Sequence, residues 1–105
     1  MYKDALEIYD EVRRITELQV QMKQEEYERK LGMLNEAIYT LLLHHTEQLT
    51  WLLYRLDVRE QDTKRAFEEE DVHRIAAALT QLIMKREIEK SEARKHFRRN
   101  VEEIG

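Results

Sequence analysis

The chain contains no cysteine and no proline, and only two of its 105 residues are glycine. Without cysteine it can form neither disulfides nor thiolate metal sites. Sheet proteins need turn residues every few positions, so the scarcity of glycine and proline predicts an all-α fold. The N-terminal stretch carries acidic residues where a signal peptide requires an apolar run. We therefore expect a cytoplasmic protein.

Long apolar runs are also missing, and stretches such as residues 41–43 and 51–54 are short. A bilayer crossing needs about 20 predominantly apolar residues, and we expect no contact with a membrane. Charged residues make up 38% of the chain, which suits helices with one apolar stripe and broad solvated faces. The net charge of −4 disfavours nucleic acid as the default partner.

Apolar residues recur with three-and-four spacing along most of the chain, as they do on one face of a helix. This pattern predicts a single helical domain over residues 1–105, built as a small bundle of three to four helices. The predicted helices are residues 3–22, 25–56, 58–69 and 72–99, with a long central helix and a long C-terminal helix. The polar stretch at residues 23–26 is predicted to separate the first two, the alternative being one continuous helix.

The predicted central helix is apolar over an unusually wide arc. One sector holds the following residues: Leu34, Ile38, Leu41, Leu42, His45, Leu49, Leu52, Leu53 and Leu56. Within this sector His45 is predicted to be a buried neutral imidazole, the alternative being a pH-sensitive or ligand-contacting group in a pocket. A second stripe runs beside it and consists of Tyr39, Leu43, Thr46, Thr50 and Tyr54, and Trp51 lies away from both. So wide an apolar surface indicates several helical neighbours, either in a bundle or in a dimer.

Acidic residues are placed where helix caps are expected. Asp4 precedes the first helix, Asp57 and Glu60 have the spacing of a capping box, and Asp71 precedes the last helix. Because a capping box begins a helix, we predict a kink or short turn just before Asp57.

The last helix has a clean apolar stripe whose line is later occupied by Arg86 and Lys90. These cations are predicted either to extend beyond the core into water or to lie along the bundle toward carboxylates. Met84 and Ile88 fall on the opposite side and are predicted to form an exposed apolar strip.

Residues that carry chemistry are few. Glu70 and His73 have the Glu-x-x-His spacing of one half of a di-metal site, and Glu92 with His96 form a second helical pair, but a complete site needs more ligands. Ser91 is the only serine and has no convincing base beside it. No phosphate loop or zincin motif is present. We therefore predict a protein that is not an enzyme and uses no cofactor.

The leading hypothesis is a non-enzymatic, self-associating interaction module or structural protein, with a homo-oligomer or another protein as partner. Its predicted interface residues are Tyr39, Leu43, Trp51, Tyr54, Met84 and Ile88. The first alternative is a nucleic-acid-binding accessory protein that uses cations of the last helix. These cations are Arg86, Lys90, Arg94 and Arg98. The second alternative is a metal-binding or small-ligand-binding helical bundle.

Two segments of the second half, residues 51–60 (WLLYRLDVRE) and 94–97 (RKHF), resemble a pattern in small, uncharacterised helical bacterial proteins. The resemblance implies a small helical fold. It implies no activity, and no catalytic or binding residues follow from it.

Overall fold

A computed structural model describes residues 2–104, with side chains described through Arg99. This part of the chain forms five α-helices, which confirms the all-α prediction but shows that a count of three to four was too low. The helices are α1 (Ala5–Leu18), α2 (Gln24–His44), α3 (Thr46–Arg55), α4 (Glu60–Phe67) and α5 (Val72–Ile104). Within residues 2–104, no helix combines the length and apolar content that a bilayer crossing requires.

Helix α1 begins at its predicted cap, because Asp4 Oδ1 accepts a hydrogen bond from the Glu7 backbone N–H at 3.0 Å. It ends at Leu18, short of the predicted residue 22, and the chain turns over residues 19–23. The predicted break is therefore real but lies a few residues earlier. Helix α2 begins at Gln24, so Glu25 and Glu26 occupy its first turn, where carboxylates stabilise the helix dipole.

The predicted central helix over residues 25–56 is wrong, because it divides at His45 into α2 and α3. His45 has φ −143° and ψ 60°, outside the helical region, and its side chain is exposed rather than buried. The bend lets both halves bury their apolar stripes. Leu41 is buried before it and Leu49 after it, each 4% exposed or less. No glycine or proline marks the bend in the sequence.

Asp57 ends α3 rather than capping α4, so the predicted capping box is wrong. Its φ of 58° places it in the left-handed region. The Asp57 N–H donates to the Tyr54 carbonyl and the Val58 N–H to the Leu53 carbonyl, both at 3.0 Å. This is the Schellman pattern that closes a helix C-terminus. Helix α4 begins at Glu60, not residue 58, and has no side-chain cap.

Helix α5 is the long element against which α1, α2 and α4 pack. It begins as predicted, since Asp71 Oδ1 accepts from the Arg74 backbone N–H at 2.9 Å, and it extends beyond the predicted residue 99. A single apolar cluster lies among the helices and includes Ile15, Leu52 and Leu79, each fully buried. Helix α3 packs against α1 and α2 and closes the side of this core.

Candidate interaction groove

An apolar groove of about 700 Å³ runs between α2 and α5. Residues of α2 that line it are Tyr27, Leu31, Gly32 and Asn35; those of α5 are Ala77, Thr80, Gln81, Met84, Lys85, Ile88 and Glu89. Met84 is buried at its floor, with 4% of its surface exposed. Tyr27, Leu31 and Ile88 form its walls and stay partly exposed. We call this surface the α2–α5 groove.

Helices α2 and α5 run antiparallel beside the groove, as two cross-helix contacts show. Thr80 Oγ1 lies 3.4 Å from Asn35 Oδ1. The rings of Tyr39 and His73 stack with centroids 4.6 Å apart and planes inclined by 8°. A residue farther along α5 therefore lies level with a residue closer to the start of α2.

Gly32 leaves the α2 wall of the groove open. A Cβ built on Gly32 would meet no other atom within 4 Å, and its φ is not positive. The backbone therefore does not require glycine at this position. Its effect is to lower the groove wall, which permits another helix to approach the α2 backbone closely.

The predicted interface residues are divided among different surfaces. Met84 and Ile88 come together in the α2–α5 groove, but Met84 is buried, so the prediction of an exposed strip was wrong for it. Tyr39 lies beyond the groove in an adjoining cleft with His73. The remaining three, Leu43, Trp51 and Tyr54, are 45%, 41% and 86% exposed and line neither cavity.

Trp51 belongs to a second surface, formed by α1 and α3. Its ring meets the Tyr9 ring edge-on at 6.3 Å. The guanidinium groups of Arg13 and Arg55 lie 5.7 and 5.3 Å from the centroid of the Tyr9 ring, within cation–π range. Trp51 therefore has an aromatic partner within its own chain and belongs to an open surface, whereas Tyr27, Leu31 and Ile88 line a concave groove.

Comparison with known proteins gives no relative. No family model, no curated protein and no solved structure matches the chain. The resemblance to small helical bacterial proteins stays a prediction, and any function has to be argued from the geometry alone.

Most of the cations predicted to contact nucleic acid are engaged within the chain. Arg86 Nη2 lies 2.8 Å from Asp57 Oδ2, and Arg86 Nε donates to the Asp57 carbonyl at 2.8 Å. Lys90 Nζ donates to the Leu56 carbonyl at 3.3 Å. Of the two alternatives predicted for these cations, the structure shows the one in which they lie along the bundle, where both also donate to carbonyls at the end of α3. Arg94 Nη2 donates to Glu87 at 2.8 Å. Arg98 is exposed.

The Asp57–Arg86 contact also has an electrostatic consequence. The Arg86 guanidinium donates a hydrogen bond to the Asp57 carboxylate and adds a favourable charge, and both effects lower the pKa of Asp57. The same partnership raises the pKa of Arg86, so both groups stay charged at neutral pH. This ion pair joins the end of α3 to the middle of α5.

Glu87 is a buried charged residue that the sequence analysis did not single out. It is only 1% exposed, and Arg13, Lys90 and Arg94 surround its carboxylate. A signal was available, because Glu87 follows Ile83 by four residues and so continues the buried stripe of α5. Two of these partners, Lys90 and Arg94, lie on α5 itself and Arg13 lies on α1, so the buried carboxylate is the centre of a structural ion network.

The predicted metal-ligand pairs do not assemble into a site in the described part of the chain. Among those residues, no three His, Cys, Asp or Glu side chains lie close enough to hold a metal ion. Glu70 instead accepts a hydrogen bond from Arg74 at 3.0 Å, and His73 stacks on Tyr39.

Proposed function

We propose that this chain is a non-enzymatic interaction module that self-associates through the α2–α5 groove. The observation that carries the proposal is an apolar groove between the antiparallel helices α2 and α5, whose wall residues are only partly covered. A groove of this kind matches the ridge of side chains on another helix. The cytoplasmic location expected from the sequence is part of the same proposal.

Burial of the wall residues of the groove supplies the free energy of association. Tyr27, Leu31 and Ile88 are each partly exposed in the single chain. Covering such side chains yields roughly 25 cal/mol for each Å² of apolar surface removed from water. In a symmetric pair every such contact occurs twice, which increases the gain from a small patch.

The α1–α3 surface supports self-association less well. Trp51 and Tyr54 are exposed there, but Arg13 and Arg55 already cover the Tyr9 ring on which Trp51 rests. This surface therefore supplies control positions. Tyr54 is 86% exposed and lies outside the groove.

Analytical ultracentrifugation over a range of protein concentrations tests the proposal. We expect a reversible dimer for the wild type, a monomer for Ile88→Glu, and an unchanged dimer for the matched control Tyr54→Glu. The introduced carboxylate would have to lose its water at a docked groove, whereas in the monomer it can reach solvent. A wild type that stays monomeric at every concentration contradicts self-association.

A second variant separates blocking of the groove from loss of the fold. Gly32→Gln directs a side chain toward the groove, and its Cβ meets no atom of its own chain within 4 Å. We expect Gly32→Gln to weaken the dimer while its unfolding midpoint in dilute solution stays equal to or above that of the wild type. A dimer unaffected by this variant would place the interface elsewhere.

A further inference from the structure

The rims of the α2–α5 groove carry opposite charges. On the α5 rim, Lys85 is exposed and makes no hydrogen bond or ion pair with the described residues. On the α2 rim, Glu28 is exposed and lies one turn before Gly32, on the same helix face. Its carboxylate accepts only the side chain of Gln24, at 3.0 Å, among the described residues. Glu89, the other charged lining residue, is engaged by Arg86 at 3.3 Å.

These two charges lie at nearly the same level along the helices. Counting five residues onward from Thr80 reaches Lys85, and five residues back from its partner Asn35 reaches Lys30. From the stacked pair, counting about twelve residues onward from His73 also reaches Lys85, and the same number back from Tyr39 reaches Tyr27 on α2. Lys85 is thus level with residues 27–30, a range that contains Glu28.

From this arrangement we propose how two copies meet, an inference that rests on the proposed function. The two-fold axis runs parallel to α2 and α5, so that α5 of each copy covers α2 of the other. Rotation about such an axis leaves the height of every residue along the helix axes unchanged. Lys85 of each copy therefore faces Glu28 of the second copy. Two equivalent Lys85–Glu28 pairs then flank a four-helix interface.

The other symmetric arrangement is electrostatically worse. A two-fold axis perpendicular to the helices and lying in the interface sets α2 against α2 of the second copy. The rim that carries Glu28 then approaches the same rim, and Lys85 has no Glu28 opposite it. Like charges brought together at an interface disfavour association. The parallel axis also places α5 of the second copy over Gly32, where the open wall permits close approach.

The absence of cysteine from the chain makes cross-linking a clean test. Glu28→Cys protein carrying an affinity tag is mixed with untagged Lys85→Cys protein and treated with a short bismaleimide. We expect the mixed cross-linked dimer to predominate over dimers that either variant forms with itself. The control replaces Lys85→Cys by Arg55→Cys, an exposed position on α3 outside the groove, and should give little product.

Charge reversal gives an independent measurement on folded protein, since both side chains are exposed. Glu28→Lys and Lys85→Glu should each weaken the dimer Kd about tenfold, because two pairs become repulsive in each dimer. The double variant should return to within about threefold of the wild type.

The outcomes separate the two proposals. A wild-type dimer with no Glu28–Lys85 cross-link and no rescue in the double variant overturns the arrangement but leaves self-association standing. Efficient cross-linking of either variant to itself favours the perpendicular axis and also overturns it. A monomeric wild type overturns both.

Discussion

The buried carboxylate of Glu87 offers the sharpest test of the energetics of this fold. Its Oε1 accepts from Arg94 Nη2 at 2.8 Å and lies 3.7 Å from Arg13 Nε, and its Oε2 lies 4.0 Å from Lys90 Nζ. The carboxylate is inaccessible, but the side chains of Arg13, Lys90 and Arg94 keep 42%, 27% and 42% of their exposure. Removing Glu87 therefore leaves cations that can turn toward water.

This difference in exposure between the Glu87 carboxylate and its cationic partners determines how much stability each substitution should cost. Removing one partner of a fully buried pair costs about 3–5 kcal/mol, because the other charge stays buried. Here the cations can rehydrate, so Glu87→Met, which preserves side-chain volume, should lower the free energy of unfolding by less than about 1.5 kcal/mol. Glu87→Ala also leaves a cavity among α1 and α5 and should cost about 2–3 kcal/mol.

Urea unfolding followed by helical circular dichroism at low protein concentration measures both variants. The slope of the unfolding free energy against urea concentration should stay constant while the midpoint of unfolding changes. Glu92, exposed on the same helix, provides the matched control, and both Glu92→Met and Glu92→Ala should stay within about 0.5 kcal/mol of the wild type. A cost for Glu87→Met as large as that for Glu87→Ala would show that the cations cannot rehydrate, and the reasoning would fail.

Two further predictions concern Gly32 and the Asp57–Arg86 pair. Because an added Cβ at Gly32 meets no atom within 4 Å, Gly32→Ala should raise the free energy of unfolding by about 0.5–1 kcal/mol, and a decrease in the urea midpoint would contradict this. The pKa of Asp57 is lowered in the folded state, so the stabilisation from its pair with Arg86 is present above the ordinary pKa of 3.8 and is lost as pH falls through the lowered value. Between about pH 5 and pH 2 the wild type should therefore lose more stability than Arg86→Gln, and identical pH dependences would exclude the contribution of this pair.

Structural features that depend on interactions within a few residues were predicted correctly from the sequence. Asp4 and Asp71 cap α1 and α5 because each side chain bonds a backbone N–H only three residues ahead. The buried stripe of α1 follows the same local logic, since Ile8, Val12 and Ile15 repeat with the helix period. Because these features depend only on residues that are close in sequence, the sequence alone predicts them.

The wrong predictions concern residues whose environment depends on contacts with distant parts of the chain. Asp57 has the spacing of a capping residue, yet Arg86, 29 residues away, binds its carboxylate and its carbonyl at the end of α3. Glu87 belongs to a run of charges that reads as solvated, yet α1 supplies Arg13 to its buried side. His45 carries no bend signal, and the chain bends there because both halves of the apolar segment have to reach one core.

The all-α class, the caps at Asp4 and Asp71 and most apolar stripes followed from the sequence alone, because helix period and backbone capping act within a turn or two of the chain. Only the tertiary structure decided which cations are satisfied internally and which apolar residues share a surface, since those depend on contacts between distant segments. The α2–α5 groove is the clearest case. Met84 and Ile88 were identifiable from their spacing on α5, but the antiparallel approach of α2 brings Tyr27 and Leu31 beside them and leaves Gly32 as the low point of the wall.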